Sequence, residues 1–183
     1  MNRPATVGGD DRLRLFLALR LPPPTLDALY AWAAAELHGG RVVPREHLHA
    51  TLAFLGSRPA GELPSIAAAL AEAARRAGPI ELEPVRWRET RSVGMVVLDD
   101  LHGSATRLAG DLHWQLEELG VYEREARPWL AHVTALRFRE RPRLRPPLPP
   151  LGRFAPSDAA AFLSRLHPSG ARYEVLESTA LGG

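Results

Sequence analysis

Apolar positions recur along this chain with two periods. A 3,4-spaced stripe marks a helix, and alternation or a short apolar run marks a strand. Leu13–Leu21 is the first predicted strand. Pro22-Pro23-Pro24 ends it, and Thr25 is placed to cap the next helix. Leu26, Leu29, Tyr30, Ala33 and Leu37 form that helix's inward stripe, and Gly39-Gly40 stops it. The segment HLHATLAFLG, residues 47–56, alternates as a strand. A second helix is predicted over 61–77, with Leu63, Ile66, Leu70 and Ala74 inward. Strands over 80–89 and 93–98 flank a turn near Arg91-Ser92. A third helix over 103–119 carries Ala105, Leu108, Leu112, Leu116 and Leu119 on one stripe. Leu130–Arg137 is the next strand, and the Arg- and Pro-rich stretch 139–150 is a loop. Segments 159–166 and 172–178 make a closing hairpin about His167-Pro168-Ser169-Gly170. Residues 1–11 are expected to be a flexible tail, and Leu181-Gly182-Gly183 a loose end.

This order lacks the regular strand–helix alternation of a doubly wound sheet. It predicts an α+β fold with antiparallel strands. Residues 13–55 run strand, helix, then a strand bearing His49-Ala50-Thr51. Residues 93–137 run strand, helix, then a strand bearing His132-Val133-Thr134. The two stretches share a pattern more than an identity. A duplicated fold about a pseudo-twofold axis would bring the two His-x-Thr strands together.

Side chains on a strand alternate between faces. His47, His49 and Thr51 are therefore expected on one face, with Leu48, Ala50, Leu52 and Phe54 on the other. His132 and Thr134 oppose Ala131, Val133 and Ala135 in the same way. A polar stripe of this kind suggests a lined cleft. Imidazole titrates near neutrality, so one ring can take a proton while another gives one. Threonine hydroxyls can donate to phosphoryl oxygens. The set suits cleavage of a strained phosphodiester with no metal and no covalent intermediate.

Composition narrows the chemistry further. The chain has 183 residues and no cysteine, which excludes disulfides, thiolate metal sites and cysteine nucleophiles. It has no lysine, so all 23 basic residues are arginine against 21 acidic ones. The pI of 9.6 follows from that choice at a net charge of only +2, and is not a sign of a basic protein. No apolar run approaches a membrane span, and MNRPATVGGDDRLR lacks an apolar signal core. The expectation is a cytoplasmic protein, acting as a monomer.

The motifs resemble those of the two-histidine (2H) phosphoesterase superfamily, in particular the LigT-like RNA 2′,3′-cyclic phosphodiesterases. RLFLALRLP is similar to that family's first strand, and HLHATLAFLG to its first motif. RPWLAHVTALRFR is similar to the second motif, and FLSRLHPSGARYEVLEST to the final hairpin. The resemblance implies one bilobal phosphoesterase domain over 12–181, with two antiparallel sheets and flanking helices around a central cleft. It implies hydrolysis of RNA or nucleotide 2′,3′-cyclic phosphate to a 2′-phosphomonoester, with no cofactor. It makes His49 the general acid and His132 the general base, with Thr51 and Thr134 on the phosphate. Arg137 falls on the family's arginine, although strict alternation puts it opposite His132. Three positions depart from the pattern: His47 for asparagine, Ala131 for proline and Ala135 for leucine. The same groups would serve a 2′-5′ RNA ligase with roles exchanged. Another cyclic phosphate, or a nucleotide-binding module without turnover, are the alternatives.

Other residues carry weaker expectations. Two same-face histidines can bind a metal, but no third histidine or matching carboxylate accompanies His47 and His49. Trp129 lies three residues before His132 and could stack a base. Arg124 and Arg127, and the arginines at 137, 139, 141, 143 and 145, could guide RNA phosphates. His102 and His113 are expected at the surface. Asp99-Asp100 is expected to cap the third helix.

Overall fold

The computed structural model describes residues 11–182, so residues 1–10 of the predicted 1–11 tail, and Gly183 of the predicted loose end, lie outside the described residues. The chain runs β1 (Arg12–Arg20), α1 (Pro23–Glu36), β2 (Arg41–Val42), β3 (His49–Pro59) and α2 (Leu63–Arg76). It continues through β4 (Leu82–Glu89), β5 (Val93–Asp100), α3 (Ser104–Glu118), β6 (His132–Arg137), β7 (Asp158–His167) and β8 (Gly170–Thr179). Two four-stranded antiparallel sheets result, with strand orders β3-β1-β7-β8 and β2-β6-β5-β4. The α+β expectation holds.

The two patterned stretches each fold as strand, helix and adjacent antiparallel strand: β1-α1-β3 and β5-α3-β6. The last hairpin, β7-β8, returns to the first sheet. Strands β3 and β6 come into contact where the sheets meet. Helices α2 and α3 pack on each other and behind the first sheet. Trp32 of α1 meets Trp87 of β4 edge-on and donates its indole N–H to Pro147 O at 3.0 Å.

Strand β1 explains how the cleft acquires a floor. It is central in its sheet, and Leu15 through Leu19 are all buried. Leu15, Leu17 and Leu19 join the main core under the helices. Phe16 and Ala18 point the other way and cluster with Ala160 and Phe162 of β7. The cleft side of the sheet is thus apolar where β1 and β7 lie side by side.

Four local expectations need correction. Helix α1 starts at Pro23 with no side-chain cap, so Thr25 lies buried within it. Pro22 holds an extended approach, and Pro23 and Pro24 open the helix, whose first turn tolerates proline. Tyr30 and Leu119 are 40% and 45% exposed rather than inward. His113 is buried at 8% exposure and donates from Nε2 to Leu52 O at 2.8 Å. Strand β2, two residues long, carried no periodic signal. Asp100 meets its expectation: its carboxylate accepts from the Ala105 and Thr106 N–H groups at the start of α3, at 3.3 and 2.7 Å.

The Arg- and Pro-rich loop is pinned by one buried carboxylate. Glu89, at the end of β4, accepts from Arg143 N, Leu144 N, Trp87 Nε1 and Arg141 Nε. Burial alone would raise its pKa, and those donors together hold it below the ordinary carboxylate value. Among the described residues, no helix is long and apolar enough to cross a membrane.

Candidate active site

The site is built by two strands that repeat one local plan. In each, the histidine opens the strand and turns its ring back on the chain. The Nδ1–H of His49 donates to His47 O at 2.7 Å, and that of His132 donates to Leu130 O at 2.7 Å. A carbonyl only accepts, so both rings carry hydrogen on Nδ1. In the neutral ring, Nε2 then holds the lone pair. His49 Nε2 lies 3.1 Å from Thr51 Oγ1.

A bulge follows each His-x-Thr. In β3 the register with β1 slips between Leu17↔Ala53 and Ala18↔Thr51, leaving Leu52 extra. In β6 the register with β5 slips between Gly94↔Leu136 and Met95↔Thr134, leaving Ala135 extra. One extra residue moves all later side chains to the other face. This corrects the expectation for Phe54, which leaves the apolar face and stands 67% exposed in the cleft. It also resolves the geometry of Arg137, which strict alternation had turned away. Phe54 and Arg137 each stand five residues after their histidine, one an aromatic ring and the other a guanidinium.

The resulting cleft has a volume of about 550 Å³. His49, Thr51, His132, Thr134 and Arg137 all line it. So do His47, Phe16, Phe54 and Tyr173, and two arginines that the pattern did not reveal, Arg14 and Arg41. Among the described residues, no aspartate or glutamate lines it. Such a cleft favours an anion. His47 sits in a 3₁₀ turn over Arg45–His47 rather than on the strand, yet still borders the cleft. Among the described residues, no three of His, Asp and Glu converge as metal ligands.

Comparison with known proteins places this geometry. Residues 19–88 match the family model described as LigT like phosphoesterase. The crystal structure of TT0787 of Thermus thermophilus is 31% identical, with a TM-score of 0.79. The match covers 93% of this chain and 99% of that one. The chain belongs to the LigT-like phosphoesterase family. E. coli LigT complexed with NADP+ is 26% identical at a TM-score of 0.77, covering 94% of this chain and all of that one. E. coli LigT complexed with 3′-AMP has the same fold, at 24% identity and a TM-score of 0.80, over 94% and 100% of the two chains. No curated protein sequence matches.

Two of the residues that the sequence singled out stand apart from the cleft of this LigT-like fold. Arg127 is exposed and pairs with Glu125 at 3.4 Å. Trp129 is half-buried against the core, and its indole N–H donates to Thr51 O at 3.0 Å. Strand β3 is an edge strand, so its outward carbonyls have no neighbouring strand. Trp129 takes that of Thr51, and His113 takes that of Leu52. Both hydrogen bonds hold the bulge that aims the first motif. Trp129→Phe removes the N–H together with one ring of the indole and is expected to cost at least about 1–3 kcal/mol, measured by urea unfolding. Of the other flagged arginines, Arg124 pairs with Glu117 and Arg141 with Glu89. Arg139 borders a shallow hollow beside Arg41 and Arg137.

The aromatic floor sets the electrostatics of the first histidine. Phe16 stacks on His49 with centroids 4.9 Å apart, and Phe162 stacks on Phe16 at 4.8 Å. Tyr173 meets His49 edge-on at 5.7 Å. Burial against these rings is the main cause that pushes the His49 pKa down to about 4. The His47 carbonyl opposes the shift, and the charges of Arg137, His47 and His132 add to it. His49 is therefore neutral at pH 7 in the free protein. The signal that could have found Phe16 and Tyr173 was their place opposite the first motif, which only the sheet order reveals.

Proposed function

We propose that this phosphoesterase hydrolyses 2′,3′-cyclic phosphate ends of RNA or nucleotides to 2′-phosphomonoesters, without a metal. The observation that carries the reading is the pair of imidazoles in one cleft that no carboxylate lines among the described residues, each with Nδ1–H tied to a carbonyl. That tie leaves both Nε2 atoms for proton transfer. Thr51 and Thr134 bind the phosphoryl oxygens, and Arg137 supplies positive charge.

In this reading His132 Nε2 takes a proton from water as the water oxygen bonds to phosphorus. The bond from phosphorus to the 3′-oxygen breaks, and protonated His49 gives that oxygen its proton. His49 is neutral before substrate enters. The anionic phosphodiester, set against Nε2, raises its pKa and lets it hold the proton it then donates. The nucleobase stacks on Phe54, the exposed ring on the cleft side of β3. The relative E. coli LigT forms a complex with NADP+. NADP+ carries a phosphomonoester on the 2′-oxygen of its adenosine, the same group this reaction leaves. The reverse, ligase direction would use the same groups with roles exchanged.

The test is turnover of 2′,3′-cyclic AMP followed by phosphorus NMR, with and without EDTA. The expected product is 2′-AMP at an unchanged rate in chelator. A 3′-phosphate product would reverse the assigned polarity. Absence of turnover for any 2′,3′-cyclic nucleotide would overturn the reaction, and loss in EDTA would overturn metal independence.

A further inference from the structure

We propose that Arg41, beside Arg137 and His47, forms a second anion subsite for the 5′-phosphoryl group of the ribonucleotide whose 2′,3′ edge enters the cleft. The inference rests on the proposed function for the position of that edge.

Arg41 stands directly opposite Arg137 on the neighbouring antiparallel strand, and both line the cleft. Like charges directly opposite one another destabilise a sheet. Neither has a carboxylate within ion-pairing distance among the described residues. The pair is nonetheless held firmly. A Cβ at Gly40 would lie 2.5 Å from Arg137 O, so the chain is pressed against β6 just before Arg41. Gly39, with φ at +74°, makes the turn that delivers it. The strand β2 is two residues long, and its pairing with β6 presents Arg41 to the cleft.

The guanidinium then crosses the mouth of the cleft. A Cβ on Gly170 would sit 3.1 Å from Arg41 Nη1, so Arg41 reaches the turn joining β7 and β8 in the other sheet. Its charge is felt at His47, whose pKa is lowered first by burial, against Glu46, and further by Arg41 and Arg137. Two opposed guanidiniums without a carboxylate are relieved when an anion lies between them. A nucleotide with one phosphate bridging its 2′- and 3′-oxygens has one other place for a phosphate, the 5′-oxygen. In an RNA end that is the phosphodiester to the preceding nucleotide. The subsite therefore distinguishes RNA ends and 5′-phosphorylated nucleotides from simple nucleosides.

The test compares 2′-AMP with adenosine 2′,5′-bisphosphate by calorimetry on the full chain, for wild type, Arg41→Gln and Arg41→Lys. Wild type is expected to bind the bisphosphate about tenfold more tightly, the gain of one charge-assisted contact. The advantage should fall below about threefold in Arg41→Gln and be partly restored in Arg41→Lys. Equal affinities in wild type would overturn the subsite, as would an advantage that survives Arg41→Gln. Equal affinities beside normal turnover of 2′,3′-cyclic AMP would sink this inference and spare the reaction. A lost advantage in Arg41→Gln without any turnover would do the reverse.

Discussion

Replacing His132 with alanine is expected to lower turnover of a 2′,3′-cyclic nucleotide by about 10²–10⁴-fold, and His49→Ala is expected to do the same. Each ring reaches the cleft with Nε2 forward because its Nδ1–H is held by the carbonyl two residues earlier. Alanine removes the proton carrier and leaves the strand's backbone pairing intact. His132 is half-buried at the start of β6, where its neighbours Ala131 and Val133 carry the core contacts. His49 is likewise flanked by buried Leu48 and Ala50. Circular dichroism of both variants should match that of the parent. The double variant should lose little more than either single one, because in the proposed mechanism the two rings act in one proton relay and such losses do not add. Full activity in either folded single variant would exclude this mechanism.

The pH dependence of kcat/KM should have its acid limb near 4, far below the usual imidazole range. In the proposed mechanism activity needs one ring protonated and one neutral, so the lower limb reports the group that first loses its proton in the free enzyme. That group is His49, pushed down to about 4. At pH 5 the activity kept should therefore be well above the roughly 3% of the maximum that an ordinary imidazole near 6.5 would leave. The sign also fixes a stability effect. The folded His49 pKa lies below its unfolded value, so between about 6.5 and 4 the unfolded chain binds the extra proton. Stability is fully present above that window and falls as pH falls through it. Phe16→Ala opens the floor that desolvates His49 and should move the acid limb up toward 6.5. An acid limb near 6.5 in the parent enzyme would rule out the desolvated state of His49.

The same pair of motifs shows how far one-dimensional pattern carries. His49, Thr51, His132 and Thr134 were legible because a strict period of two puts each pair on one face. Arg137 was legible as a position but not as an orientation, since the bulge at Ala135 breaks the period. Phe54 was placed on the wrong face for the same reason, by the extra residue at Leu52. Trp129 and His113 were read as a base-stacking ring and a surface residue. Their real partners are two carbonyls of an edge strand whose position relative to them is a long-range property.

Local periodicity and turn chemistry therefore determined the elements, the α+β class and the two paired motifs, since each depends on residues near one another in the chain. The tertiary structure alone decided which sheet each strand joins and where the register slips. Those follow from packing between distant segments, which no local period encodes. That is why β2, with two residues and no periodic signal, brings Arg41 opposite Arg137. It is also why Phe16 and Tyr173, from strands far apart in sequence, close around His49 and set its charge.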